Sequence, residues 1–281
     1  MNTSSRPALS ADAPVGVFDS GIGGLSVLRA LQLELPDERF VYLADSGYAP
    51  YGERGEAYTT ERALAVTARL REQHRIKALV VACNTATTAA IELLRSEHAD
   101  LPLIGVEPAV KPALAASRTH RVGVIGTRGT LASARFARLL KCWSDAGAVV
   151  VQPCDGLAIA IEEEISAPGP ASENAVIALC ARYIRAMGQF GSADGQIDTL
   201  VLGCTHYVFA EKAIRQALGD ADVTLIETGH AVARQTRRLL TQGGLLRPPG
   251  GAAVRLESTG ESALLEAAAA RWLGLGVPAT P

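Results

Sequence analysis

One short pattern occurs twice in this chain and constrains its fold more than any other feature. Residues 79–87 read Leu-Val-Val-Ala-Cys-Asn-Thr-Ala-Thr, and residues 199–207 read Thr-Leu-Val-Leu-Gly-Cys-Thr-His-Tyr. In each copy an apolar run leads into a cysteine, Cys83 or Cys204, and a threonine follows within two residues. Such runs are typical of buried parallel strands, whose carboxyl ends form the ligand-binding edge of α/β folds. The repetition predicts one site made from two similar halves.

Strand-like and helix-like segments alternate along the rest of the chain. Residues 15–18 lead into a glycine-rich turn at residues 19–24, and apolar residues then recur at helical spacing up to Pro36. Residues 121–130 repeat the strand and its Gly/Thr turn. The alternation predicts the α/β class with parallel sheets. The repetition of the strand and its turn predicts two similar parallel-sheet domains in a pseudo-symmetric arrangement, with the site in the cleft between them.

Composition and charge exclude several classes of function. The formal net charge is −2 and aromatic residues make up 5% of the chain, so neither a basic face nor a base-stacking surface for nucleic acid is expected. No apolar stretch approaches the about 20 residues that cross a bilayer, so no membrane partner is expected. Residues 1–13 are small and polar without the apolar core of a signal peptide, which predicts a flexible tail and a cytoplasmic protein.

The cysteines are not arranged for disulfides or metal. The chain has five of them, none in a C-x-x-C pair, which fits a reducing compartment better than a disulfide framework. The histidines do not cluster with cysteines at metal-ligand spacing, so no metal is expected. Outside the repeated pattern, Cys142, Cys154 and Cys180 are expected to be small buried hydrophobic residues.

The two repeated thiols point to chemistry. At a strand end beside a helix N-terminus, backbone N–H groups and the helix dipole favour a thiolate. A thiolate can attack a carbonyl or remove a proton. Two thiols on pseudo-symmetric halves suit racemisation, in which one removes the α-proton from one face and the other protonates the opposite face.

Other interpretations stay open on these residues alone. His206 beside Cys204 suits a hydrolase or acyl transferase with a single nucleophile, although Cys83 is then unused. A noncatalytic binding protein on the same scaffold also fits. A dinucleotide site is disfavoured because residues 19–24 lack the third glycine of G-x-G-x-x-G and carry Asp19. The lysines lie outside the strand-end motifs, so pyridoxal phosphate is not indicated and no cofactor is expected.

Five phrases together resemble the glutamate racemases of the aspartate/glutamate racemase superfamily. In order they are residues 18–27 (Phe-Asp-Ser-Gly-Ile-Gly-Gly-Leu-Ser-Val), residues 50–52 (Pro-Tyr-Gly), residues 82–86 (Ala-Cys-Asn-Thr-Ala), Gly126-Thr127 with Thr130, and residues 203–207 (Gly-Cys-Thr-His-Tyr). The resemblance covers the chain from about residue 14 to 240. It implies cofactor-independent interconversion of L- and D-glutamate, which supplies D-glutamate for peptidoglycan. A homodimer is expected on this resemblance only.

The resemblance also implies domain boundaries and residue roles. The first domain covers residues 14–107 plus about 223–281, and the second about 108–222. Cys83 corresponds to the base that acts on D-glutamate and Cys204 to the base that acts on L-glutamate. Asp19 and His206 correspond to polar groups that assist the thiols. The positions implied for substrate binding are Ser20, Tyr51, Gly52, Asn84, Thr85, Thr127, Thr130, Glu162 and Thr205.

Three features leave alternatives. Glu162 lies in a run of three acidic residues, so a solvated helix face is an alternative to contact with a substrate ammonium group. Val208 stands where the family often has a proline, which concerns only the entry into the next helix. An aspartate racemase is the alternative within the superfamily, although His206 and the phrase at residues 19–27 favour glutamate.

Overall fold

The structure is a computed structural model that describes residues 9–274. Its strands are β1 (Val15–Asp19), β2 (Arg39–Ala44), β3 (Ala78–Val81), β4 (Leu103–Gly105), β5 (Arg121–Gly126), β6 (Ala148–Pro153), β7 (Thr199–Leu202), β8 (Thr224–Ile226) and β9 (Ala253–Ser258). Its α-helices are α1 (Leu25–Glu34), α2 (Glu56–His74), α3 (Asn84–Glu97), α4 (Val110–Ala116), α5 (Arg128–Leu131), α6 (Ala134–Cys142), α7 (Leu157–Ser166), α8 (Pro170–Ala186), α9 (Glu211–Leu218), α10 (Gly229–Gln242) and α11 (Ser262–Leu273).

The strands form two sheets with corresponding topology. Their orders are β4-β3-β1-β2-β9 and β6-β5-β7-β8, and every pairing is parallel. Read in reverse, the second order matches the first four strands of the first sheet. The predicted α/β class with two similar parallel-sheet halves is therefore confirmed. The strands that lead into the two cysteines, β3 and β7, hold the same place in the two sheets.

Each sheet is buried on both faces, as parallel sheets are. In the first sheet the side chains alternate between two cores. Val15 and Val17 pack with Tyr42 on one face, while Phe18 packs with Val81 on the other. The second sheet is likewise covered by a core on each face. This burial explains why the strands read as apolar runs, and it leaves only their ends for polar side chains.

The end of the chain returns to the first sheet. β9 pairs with β2, and α10 and α11 pack against α1. The domain boundary predicted near residue 223 placed β8 (Thr224–Ile226) in the first domain. β8 instead pairs with β7 in the second sheet, because it is the last strand of the second repeat. We propose a first domain made of residues 9–107 together with residues from about 227 to 274, and a second domain made of the residues between.

The start of the chain lies partly outside the structure. Of the flexible tail predicted at residues 1–13, residues 1–8 lie outside the described residues. Residues 9–13 make specific contacts: the Ala13 N–H donates to the Ser10 carbonyl at 3.1 Å, and Lys77 Nζ donates to the Ala11 carbonyl at 2.6 Å. Leu9 packs against the cores of the first sheet. These five residues are thus part of the packed first domain.

Two helices and one cysteine differ from the sequence predictions. The pattern did not indicate α4 or α9, because both are short and α4 carries a proline in its first turn. Cys142 was expected to be buried but is exposed at the end of α6, whereas Cys154 and Cys180 are buried as expected. Within residues 9–274, no helix is both long and apolar enough to cross a membrane.

Candidate active site

A cavity of about 320 Å³ lies where the carboxyl ends of the two sheets face each other. Cys83 lines it from the first half and Cys204 from the second, so the two thiols do share one site. Most of the other predicted residues line the same cavity, namely Ser20, Tyr51, Gly52, Asn84, Thr85, Thr127, Glu162, Thr205 and His206. Asp19 and Thr130 are fully buried behind the cavity wall and do not line it.

Cys83 is held by the start of α3. The Ala86 N–H donates to Cys83 Sγ at 3.4 Å, and the thiol lies 3.7 Å from Ser20 Oγ, to which it donates. The Ser20 hydroxyl in turn lies 3.3 Å from Asp19 Oδ1. Burial, and secondly the Asp19 carboxylate, raise the pKa of the Cys83 thiol to about 12. The helix N-terminus was expected to favour a thiolate here, but its single N–H is outweighed, and Cys83 is a thiol at neutral pH.

Cys204 has a different partner. Its Sγ lies 3.7 Å from His206 Nδ1, and His206 Nε2 lies 2.8 Å from Glu162 Oε1. Burial acts to lower the pKa of His206, but the bonds to Cys204 and Glu162 outweigh it and raise that pKa well above its usual value. The raised pKa of His206 favours its charged form, which places a positive charge beside Cys204.

Glu162 joins the two halves at the cavity. It lies on α7 of the second half, yet its Oε1 also accepts the Ile22 N–H of the first half at 3.1 Å. Burial acts to raise its pKa, but the hydrogen bond and charge of His206 lower it overall. The alternative of a solvated helix face is therefore wrong for this residue, because its side chain is only 20% exposed and ion-paired.

Asp19 also bridges the halves, from behind the wall. One carboxylate oxygen accepts the Gly21 N–H at 2.8 Å, and the other accepts the Thr205 hydroxyl at 3.0 Å. Burial raises the pKa of Asp19, although the charge of His206 opposes this. Asp19 thus contacts Ser20 and Thr205, which line the cavity, rather than the cavity itself.

Three threonine hydroxyls meet across the cleft. Thr85 Oγ1 lies 3.0 Å from Thr127 Oγ1 and 3.3 Å from Thr130 Oγ1. Thr130 thus orients the two threonines that line the cavity. Gly52 lies against this group, since a Cβ added there would stand 2.9 Å from Thr127 Cβ. The absence of a side chain at Gly52 lets the first half approach the second.

Asn84 has the clearest free donor and acceptor. Its side-chain Oδ1 and Nδ2 are both buried and find no hydrogen-bond partner among residues 9–274, and the residue lines the cavity. Buried polar atoms are nearly always paired in folded proteins. A bound polar molecule would satisfy this amide.

Several cavity residues were not predicted from the sequence. Cys154, expected to be only a buried hydrophobic residue, lines the cavity beside Asp155. Arg128 forms an ion pair with Asp155 at 2.5 Å near the opening. Leu264, from the part of the chain without a recognised motif, also reaches the wall. No local signal marked these residues, because only the packing of the two halves brings them together. Within residues 9–274, no cluster of His, Cys, Asp and Glu suitable for a metal ion is present.

Comparison with known proteins gives consistent matches over most of the chain. The profile of the Asp/Glu/Hydantoin racemase family matches residues 23–236. The chain is 49% identical over 264 residues to a protein named glutamate racemase from Ralstonia pickettii (strain 12J), covering 94% of this chain and 89% of that one.

Solved structures match at the level of the whole fold. Glutamate racemase isoform RacE1 from Bacillus anthracis superposes with a TM-score of 0.81 at 32% identity, covering 94% of each chain. The Escherichia coli glutamate racemase, solved in complex with L-glutamate, superposes with a TM-score of 0.77 at 28% identity, covering 92% of this chain and 95% of that one.

Proposed function

The chain belongs to the Asp/Glu/Hydantoin racemase family and is an isomerase that racemises glutamate, and we propose that it does so with Cys83 and Cys204 as two bases acting on opposite faces of the substrate. The single observation that supports this mechanism best is the position of both thiols on one cavity, each brought there by an equivalent strand end of a different half. A single-thiol mechanism leaves this duplication without a purpose.

The surroundings of the thiols suggest how the reaction begins. With L-glutamate bound, the Cys204 thiolate removes the α-proton, while the neighbouring His206 imidazolium balances the charge. The Cys83 thiol then gives its proton to the opposite face of the α-carbon, which forms D-glutamate. The enzyme is left with a Cys204 thiol and a Cys83 thiolate, the state that is ready for D-glutamate. Reverse turnover, or proton exchange with solvent, restores the first state.

The cavity wall suits a small zwitterion with two carboxylates. Neutral donors hold carboxylates without a large net charge. The Asn84 amide and the Thr85 hydroxyl supply such donors. The Glu162 carboxylate gives the substrate ammonium group an anionic partner. The proposed proton transfers use only these side chains and the two thiols, and we propose that the reaction needs no cofactor.

The biological setting is proposed on the same family relation. D-Glutamate made by this reaction would be used for peptidoglycan synthesis. The enzyme itself would work in the cytoplasm as a homodimer. Aspartate is the competing substrate within the family, and it differs from glutamate by one methylene group.

The test follows hydrogen at the α-carbon. The enzyme is incubated in deuterated water with L- or D-glutamate, without added cofactor, and NMR and optical rotation report exchange and inversion. We expect the wild type to racemise both enantiomers with deuterium incorporation, and L-aspartate to react much more slowly. Exchange with aspartate alone would move the assignment to aspartate racemisation.

Single-thiol variants separate the two bases. Cys83→Ala keeps the base for L-glutamate but lacks the opposite donor, so we expect α-deuterium exchange in L-glutamate without inversion, and none in D-glutamate. Cys204→Ala should show the mirror pattern. Full racemisation by Cys83→Ala would contradict the two-base mechanism and favour chemistry centred on Cys204.

A further inference from the structure

A buried carboxylate outside the cavity organises one of its walls. Asp45, directly after β2, has no exposed surface. Its carboxylate accepts the Tyr51 hydroxyl at 2.5 Å, the Arg62 Nε and Nη2 groups at 3.0 Å each, and the Thr259 hydroxyl at 2.9 Å. A buried charge is tolerated when it is paired and hydrogen-bonded in this way. Asp45 therefore ties together the loop that follows it, helix α2 and the segment after β9, which is distant in sequence.

The segment tied most closely is residues 46–53, here called the wall loop. Six of its residues line the cavity: Ser46, Ala49, Pro50, Tyr51, Gly52 and Glu53. The Tyr51 hydroxyl points to Asp45 rather than being free for a substrate, so this predicted binding residue offers the cavity its ring and backbone. The position of the wall loop thus depends on Asp45.

Thr259 fastens the wall loop a second time. Its hydroxyl donates to Asp45 and also accepts the Gly47 N–H at 3.1 Å. The contact is close, since a Cβ added at Gly47 would stand 2.6 Å from the Thr259 carbonyl oxygen. Thr259 itself is held in place because its N–H donates to the Ala44 carbonyl at 3.0 Å, just beyond the paired ends of β2 and β9. One side chain therefore satisfies both the buried carboxylate and the loop backbone.

We propose that Asp45 and Thr259 form a clamp that positions the wall loop and thereby sets the affinity for the amino-acid substrate. The returning strand β9 is then a working part of the active site, and Thr259 is a positioning residue on a stretch that carries no recognised motif. The substrate named here rests on the proposed function. The chemistry at the two cysteines, which lie on other strand ends, does not depend on the clamp.

The first test compares two substitutions of one side chain. Thr259→Val keeps the shape but removes the hydroxyl, which leaves Asp45 and the Gly47 N–H each short of a partner. Thr259→Ser keeps the hydroxyl. We expect Thr259→Val to raise KM about tenfold with kcat changed less than about twofold, and Thr259→Ser to stay close to wild type. Thr241→Val is the matched control, since that exposed hydroxyl bonds only the Arg237 carbonyl of its own helix among the described contacts.

The reaction itself provides an internal check. Enantiomers have equal free energy in water, so kcat/KM must be equal in the two directions. A loop that binds both enantiomers should therefore raise KM for L- and D-glutamate by the same factor. If Thr259→Val lowers the melting temperature or the active fraction but leaves both KM values unchanged, the clamp is overturned. Tyr51→Phe removes the other hydrogen bond between the wall loop and Asp45 and should also raise KM. This variant provides the test if Thr259→Val does not fold.

A second measurement needs no substrate. Amide hydrogen exchange of the wall loop, followed by mass spectrometry, should be at least about fivefold faster in Thr259→Val than in wild type or Thr259→Ser. Unchanged exchange would overturn the clamp whatever the activity. Conversely, a wild type that does not racemise glutamate but shows this exchange pattern would refute the proposed function and leave the clamp supported.

Discussion

The two thiols are equally buried but stand in opposite electrostatic surroundings. Each is 6% exposed on the same cavity. Cys83 has the Ser20 hydroxyl and, behind it, the Asp19 carboxylate, whereas Cys204 has the His206 imidazolium. Their charged neighbours rather than their access to the cavity therefore distinguish the two thiols, as the proposed two-base mechanism with unlike resting states requires.

Alkylation measures this difference directly. Because only the thiolate reacts and the pKa of Cys83 is raised to about 12, iodoacetamide near pH 8 should modify Cys83 at least about tenfold more slowly than Cys204, which lies beside His206. Peptide mapping by mass spectrometry gives both rates in one sample, with the exposed Cys142 as an internal reference. His206→Gln should remove most of the difference. Equal rates in the wild type, or faster reaction at Cys83, would contradict the assignment.

At the scale of the element, the glycine-rich turn after β1 is an interdomain contact rather than a phosphate site. Ile22 donates its N–H to Glu162, and the Ser26 hydroxyl donates to the Thr205 carbonyl at 3.2 Å. Gly23 lies against the second half so closely that a Cβ there would stand 2.6 Å from Thr205 Oγ1 and would also contact the His206 ring. The glycine is required for close approach.

Gly23→Ala should therefore damage catalysis without unfolding the protein. The added methyl group displaces His206 or Thr205 from Cys204, and misplacement by about 1 Å can cost about 100-fold in rate, so we expect a loss of that order in kcat/KM. Circular dichroism and the melting temperature establish folding. Gly55→Ala is the matched control, because a Cβ at Gly55 meets no atom of the described part of the chain within 4 Å and its φ of −68° suits alanine. Wild-type activity in Gly23→Ala would refute the contact.

At the scale of the whole molecule, stability in acid depends on buried carboxylates that hold segments together. Asp198, just before β7, accepts the Ser117 hydroxyl at 2.6 Å and the Arg118 N–H at 2.7 Å, so it anchors the end of α4 to the second sheet. Burial acts to raise the pKa of Asp198, but these hydrogen bonds outweigh it and hold the pKa at about 2, below the ordinary value of 3.8.

The sign of the pH effect follows from this lowered pKa. The ionised Asp198 stabilises the folded state above about pH 4, and the stabilisation is lost as the pH falls through about 2, for a total of about 2 kcal/mol. Urea unfolding between pH 5 and pH 2 should therefore show a fall in unfolding free energy that is about 2 kcal/mol smaller in Asp198→Asn. Asp194→Asn, which removes an exposed carboxylate, is the control. An unchanged pH dependence in Asp198→Asn would contradict the anchor.

Much of this molecule could be predicted from local pattern. The apolar runs before Cys83 and Cys204 indicated two buried strands, and their repetition indicated two like halves with one site between them. These predictions work because strand periodicity, glycine turns and the polarity of a strand end are properties of a few consecutive residues. The short helices α4 and α9 were not predicted, because a few residues show too little periodicity to indicate a helix.

Contacts between distant segments came only from the folded chain. Three hydrogen-bonded pairs join residues that are far apart in the sequence: Glu162 with His206, Thr259 with Asp45, and Thr205 with Asp19. The ionisation of Cys83 likewise depends on burial and on a carboxylate brought near by folding, which reversed the local expectation from its helix N-terminus. Residue type and spacing thus determine which chemical groups stand at the strand ends. Packing of the two halves determines their partners, because burial and charge act over distance in space and not along the chain.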